Sequence, residues 1–172
     1  MKPSILFLML YLLPLAAAAC NGGQSDEARR ASLTRYLSAV NAVRTVTDAK
    51  IGPVQQQLDS ALDDDDLLTA DEREALRAYF SERAAVVEET IGSMNRIEPP
   101  DEFAAAHRAY IDAASAVRDV LQDAATMEFA SADADQVLAD LAPVGQRVAA
   151  ACAALQDVAD ANEIGVSLGC GS

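Results

Sequence analysis

The chain contains one histidine and three cysteines in 172 residues, and these few groups bound its chemistry tightly. His107 lies one helical turn before Tyr110, both on an apolar seam, which makes them a candidate ligand- or proton-sensing pair at the mouth of a helix bundle. The alternative is a histidine held by a neighbouring carbonyl or by a carboxylate such as Glu98. A single imidazole rules out a dimetal bundle, which needs a Glu-x-x-His on each of two helices. It also rules out a zinc site built from several histidines, and Cys-x-x-Cys-His for haem attachment is absent. Gly165-Val166-Ser167-Leu168-Gly169 matches Gly-x-Ser-x-Gly, but that pattern needs a strand-to-helix turn and a histidine further down the chain. Here it follows a helical pattern and His107 lies upstream, so it reads as a flexible tail. No set of nucleophile, base and oxyanion donors can be assembled. The expectation is a protein that is not an enzyme, with no cofactor and no definable metal site.

Carboxylates dominate the remaining polar chemistry. Asp63, Asp64, Asp65 and Asp66 form an unbroken run, with Asp59, Asp71, Glu72 and Glu74 close by in sequence. Crowded like charges repel, so this region is a candidate contact for a cation or a basic envelope protein. The run leads into Leu67-Leu68 and lacks the glycine and spaced glutamate of an EF-hand loop. A formal charge of −14 repels phosphate backbones, which argues against nucleic acid. Arg44 and Arg83 fall on apolar seam positions. They are expected to pair with Asp48 or Glu88, to reach outward along their stems, or to form an internal anion position.

The first twenty residues concern location. Lys2 precedes the apolar run Ile5–Leu13, and Pro14, the small residues Ala16–Ala19 and Cys20 follow. A basic start, a short apolar stretch and a small-residue cleavage site are the parts of a secretory signal over residues 1–19. The run is short for a spanning helix, which needs roughly 20 apolar residues. A cysteine directly after the small residues resembles the bacterial lipobox, whose thiol receives a diacylglycerol. Cys20 is therefore the expected lipidation site, followed by a tether to Gln24, and the chain is expected outside the cytoplasm on a bacterial membrane. Ordinary cleavage leaving a free thiol is the alternative. Lipidation consumes Cys20 and leaves Cys152 and Cys170 as an even pair in an oxidising compartment, where a disulfide is expected. The alternative is a buried free thiol at Cys152 and an exposed one at Cys170.

Placing these groups requires helices. Ala-rich sequence with few internal Gly or Pro favours helix, and hydrophobic residues make up 51% of the chain. Ser25 with Asp26 and Glu27 reads as a helix start. The seam Leu33, Leu37, Val40, Arg44, Thr47, Ile51, Val54, Leu58, Leu62 follows, interrupted at Gly52-Pro53. Thr69 and Glu72 stand in capping-box spacing before a second stripe through Leu76, Phe80, Val87, Ile91 and Met94. Pro99-Pro100 ends that helix, and Asp101-Glu102 start a third through Phe103, His107, Tyr110, Val117 and Leu121. Asp133 and Gln136 suggest the cap of a fourth, through Val137, Val144, Val148, Leu155 and Val158, with Pro143 inside it. Pro53 and Pro143 fall at nearly one level, where paired kinks would open a small cavity or simply accommodate core packing. The whole predicts an all-α, antiparallel up-down four-helix bundle over residues 25–172, with a non-helical tail. A three-helix bundle with a separate first helix is the structural alternative.

The run from Ile97 to Tyr110, with its Pro-Pro turn and histidine-bearing helix, resembles a segment of small uncharacterised bacterial envelope lipoproteins. The ending from Ile164-Gly165 to Cys170-Gly171, with Cys152 in the last helix, is similar too. The resemblance implies a helical, membrane-tethered domain and carries no activity. Together these readings lead to a lipid-anchored, non-enzymatic binding module. A sensor of a small ligand or cation, using the bundle centre or the acidic end, is the second reading.

Overall fold

The computed structural model describes residues 25–61, 69–129 and 131–170, so Cys20 and Asp63–Asp66 lie outside the described residues. Within them are four helices and no strand: α1 (Asp26–Ala61), α2 (Ala70–Met94), α3 (Asp101–Ala125) and α4 (Ser131–Ala161). The chain is all-α, and the four helices are those of a four-helix bundle.

Local chemistry accounts for most of the boundaries. Ser25 Oγ accepts from the Ala28 amide at 3.3 Å, with Asp26 and Glu27 on the positive end of α1. The box at the start of α2 closes in both directions. Thr69 Oγ1 accepts from the Glu72 amide at 3.2 Å, and Glu72 accepts from the Thr69 amide at 2.6 Å. Glu72 is thereby buried and occupied in capping. At α4 the expected cap is displaced. The helix begins at Ser131, which puts Asp133 inside the first turn, and Gln136 donates to Asp140 at 2.9 Å.

The expected interruption at Gly52-Pro53 does not occur, since α1 runs on through Pro53. The lost backbone bond is offset because Val54 and Leu58 stay packed against a core beneath α2. Helix α4 likewise continues through Pro143, flanked by buried Val144 and by Leu141 packed on the same core. Both prolines are exposed on the outer surface.

Two apolar clusters hold the helices together. One joins Leu33, Leu37 and Val40 of α1 to Met94 of α2, Phe103 of α3, and Leu155 and Ala159 of α4. The other joins Leu76 and Phe80 of α2, Leu121 of α3, Phe129, and Val137 of α4, with Leu58 of α1 at its edge. Fully burying one such side chain contributes roughly 1.5–3 kcal/mol. Helix α1 packs on α2, α2 on α3 and α3 on α4, whereas α1 and α4 scarcely approach one another.

The tail fills the gap between them. Helix α4 ends in a Schellman turn: the Glu163 amide donates to Asp160 O at 3.0 Å and the Ile164 amide to Ala159 O at 2.9 Å. Glu163 occupies the left-handed position, φ 54°, that glycine usually takes. Ile164 and Leu168 then enter the first cluster beside Leu33, Leu37 and Leu155. Leu168 is only 1% exposed. The expected flexible tail is instead a packed, non-helical segment whose side chains alternate between buried and exposed, because α1 and α4 leave an apolar slot that the buried ones occupy.

Candidate functional site

His107 is buried, and its partner is Tyr36 of α1. Tyr36 Oη lies 2.8 Å from His107 Nδ1, and Tyr36 also packs against Phe103, with ring centroids 4.7 Å apart. A hydrogen bond to the backbone of Met94 acts to raise the His107 pKa, which requires the ring to donate there. In the neutral ring the other nitrogen is then an acceptor, so Tyr36 Oη donates to Nδ1. Burial outweighs the Met94 bond and sets the His107 pKa below its ordinary value. Burial likewise raises the Tyr36 phenol. The pair is a neutral hydrogen-bonded link from α1 through α3 to the end of α2.

Tyr110 takes no part in that link. It is half-buried, its phenol raised by burial while Arg44 pulls down and Asp48 pushes up. With Arg44, Met94, Cys152 and Leu168 it lines a cavity of only about 10 Å³, at the lower limit for a single water. The residue that sequence reasoning missed is Tyr36. It stands three positions after Leu33, so the helical stripe already pointed to it.

Arg44 forms an i,i+4 ion pair with Asp48 at 3.7 Å, as expected. Its guanidinium also covers Gly169, where a Cβ would lie 2.9 Å from Nη1. Arg83 departs from expectation. It donates to the hydroxyl of Tyr79, which donates to Gln55 Oε1 at 2.8 Å, and its guanidinium carbon lies 5.4 Å from the Tyr79 ring centroid. Its Nε is buried with no hydrogen-bond partner among the described residues. The nearby Glu88 is engaged instead by Arg118 at 2.8 Å.

Cys152 and Cys170 lie at disulfide distance, with sulfurs 1.98 Å apart and Cα atoms 5.6 Å apart. One turn beyond Cys152, Gln156 grips the tail. Its Nε2 donates to Val166 O at 3.2 Å, and its Oε1 accepts from the Leu168 amide at 2.8 Å. Ser167 between them is exposed, in non-helical chain with no helix after it among the described residues.

Two surface features complete the inventory. Between α1 and α2 runs an apolar groove of about 230 Å³ past Val43, Val46 and Val86. A Thr47–Thr90 hydrogen bond of 2.6 Å and the Lys50–Glu89 ion pair lie along it, and Val46 is 53% exposed. At the pole where Leu58, Leu76, Leu121, Phe129 and Val137 share one cluster, Asp59, Asp71, Glu74, Asp123, Glu128 and Asp140 are exposed. Among the described residues, no group of three or more metal-binding side chains is placed to hold an ion. Comparison with protein families, with characterised proteins and with solved structures finds no match.

Proposed function

We propose that this chain is a lipid-anchored, extracytoplasmic module of a bacterial envelope that binds a basic partner surface without catalysing a reaction. The acidic pole is the observation that carries the binding half. Six exposed carboxylates surround the apolar base where α1 ends and α2 begins, and Asp63–Asp66 belong to that same connection in sequence. Repulsion among them is relieved by a cation or a basic surface. An antiparallel up-down course of the helices fits the contacts. Thr47 meets Thr90, while Gln55, further along α1, meets Tyr79, further back along α2.

The anchoring half rests on the leader pattern and on Cys20, in keeping with the resemblance to envelope lipoproteins. Helix α1 has 36 residues, so it carries the acidic pole roughly 50 Å from the tether at about 1.5 Å per residue. A contact surface at that distance stands clear of lipid headgroups.

The test is binding of a labelled oligolysine peptide to the mature protein at low and at physiological ionic strength. Weak binding that salt abolishes, and that changing Asp63–Asp66 to Asn reduces several-fold, supports the reading. Equal binding by wild type and variant contradicts it. A calcium-dependent rise in melting temperature without peptide binding favours the cation-sensor reading instead.

A further inference from the structure

The tail is held in the α1–α4 slot much as a bound peptide would be. Gln156 pairs with a main-chain carbonyl and a main-chain amide two residues apart, which is how a neighbouring strand reads extended backbone. Ile164 and Leu168 supply the apolar anchors in the slot, and Val166 packs against the same cluster. Gly169, at φ 58°, lies beside the Arg44 guanidinium, and its left-handed backbone favours a residue without a Cβ. Cys170 meets Cys152 at the far end. The two helices scarcely touch without this segment. Upstream, the left-handed Glu163 marks the turn at which the segment leaves α4, and exchange there must give up the Ile164 amide bond to Ala159 O.

We propose that the slot between α1 and α4 is an interface between copies of this chain, in which the 164–170 segment of a second copy replaces the resident one. The occupant is identified by fit. The slot takes alternating apolar side chains, then a residue without a Cβ, then a cysteine opposite Cys152, and this chain's own ending has that sequence. Exchange requires opening the Cys152–Cys170 bond with a small thiol. Cys152 is buried and Cys170 is half-buried, so the thiolate attacks Cys170 Sγ. Its sulfur joins Cys170 as a mixed disulfide, and Cys152 leaves as thiolate within the slot. That thiolate then attacks Cys170 Sγ of a second copy's mixed disulfide, forming the interchain bond and releasing the small thiolate. One intrachain bond is exchanged for one interchain bond, and the thiol is regenerated. The short connection to α4 keeps the resident tail at a millimolar effective concentration, so the monomer prevails until thiol and protein concentration are both raised.

The experiment mixes ¹⁵N-labelled and unlabelled full chain with catalytic glutathione, then digests without reduction. Isotope-hybrid Cys152–Cys170 peptides that increase with protein concentration are expected. A synthetic peptide of residues 163–172, its cysteine supplied as the glutathione mixed disulfide, provides the second readout on full-length host protein whose Cys152–Cys170 bond has first been opened by the same catalytic glutathione, so that Cys152 is free to attack. Capture at Cys152 should be at least tenfold faster than for the same peptide carrying Leu168→Asp. Equal capture rates would show thiol chemistry without recognition and overturn the proposal. So would reclosure with purely homo-isotopic pairs at every concentration.

Discussion

Removing one oxygen tests the buried link between α1 and α3. Tyr36→Phe keeps the ring that packs on Phe103 but removes the donor to His107 Nδ1. His107 is 6% exposed, so water does not readily replace the lost partner. An orphaned buried acceptor costs about 1–3 kcal/mol, and the loss should fall near 2 kcal/mol because the aromatic packing survives. Tyr110→Phe is the internal control. Its hydroxyl is not part of the His107 link, so its cost should stay within about 0.5 kcal/mol. Urea unfolding of both variants under oxidising conditions, with unchanged m-values, measures the difference. Equal effects of the two substitutions, or no effect of Tyr36→Phe, would refute the assignment of His107 to Tyr36.

The same link sets a pH dependence. Burial lowers the His107 pKa in the folded state, so the unfolded chain takes up the proton first as pH falls. The contribution is complete above the ordinary histidine value of about 6.5 and is lost as pH falls from there towards the folded value. His107→Gln should flatten the stability profile in that window and leave the carboxylate-driven loss at lower pH. The tail supplies a paired test. Gly169→Ala meets both a left-handed backbone and Arg44, and should destabilise by about 1–2 kcal/mol. Gly165→Ala, with open space around it, should be neutral or slightly stabilising in the same thermal melts.

Much of this was legible in the residues, for identifiable reasons. Capping chemistry is local, so Thr69 with Glu72 and the acids at Asp26 and Asp101 marked helix starts that the structure keeps within a residue. The cysteine pair followed from parity and from the compartment that the leader pattern implies. What failed was what depends on neighbours distant in sequence. Proline at position 53 reads as a break because one backbone bond is lost, yet the apolar side chains after it hold the helix in place. Gly165 and Gly169 suggested a loose tail, although Ile164, Val166 and Leu168 alternate as a segment buried on one side should. Whether such a segment is buried depends on a gap between α1 and α4, which periodicity along either helix does not reveal. Tyr36 lay on the same stripe as Leu33 and Leu37. A partner for His107 that is 71 positions away follows only from how the helices pack. Arg83 found a phenol where nearby carboxylates had suggested an ion pair, because Glu88 had been taken by Arg118.

The proposed function stands or falls first on attachment, since a contact surface at the acidic pole is useful to an envelope module only if the opposite end is held. Intact-mass and peptide mass spectrometry of the protein purified from membranes tests this most directly. The account predicts a mature chain beginning at Cys20 and carrying a diacylglyceryl group, together with loss of membrane association in Cys20→Ser. A mature chain that begins with unmodified Cys20, or one that retains residues 1–19, would contradict it.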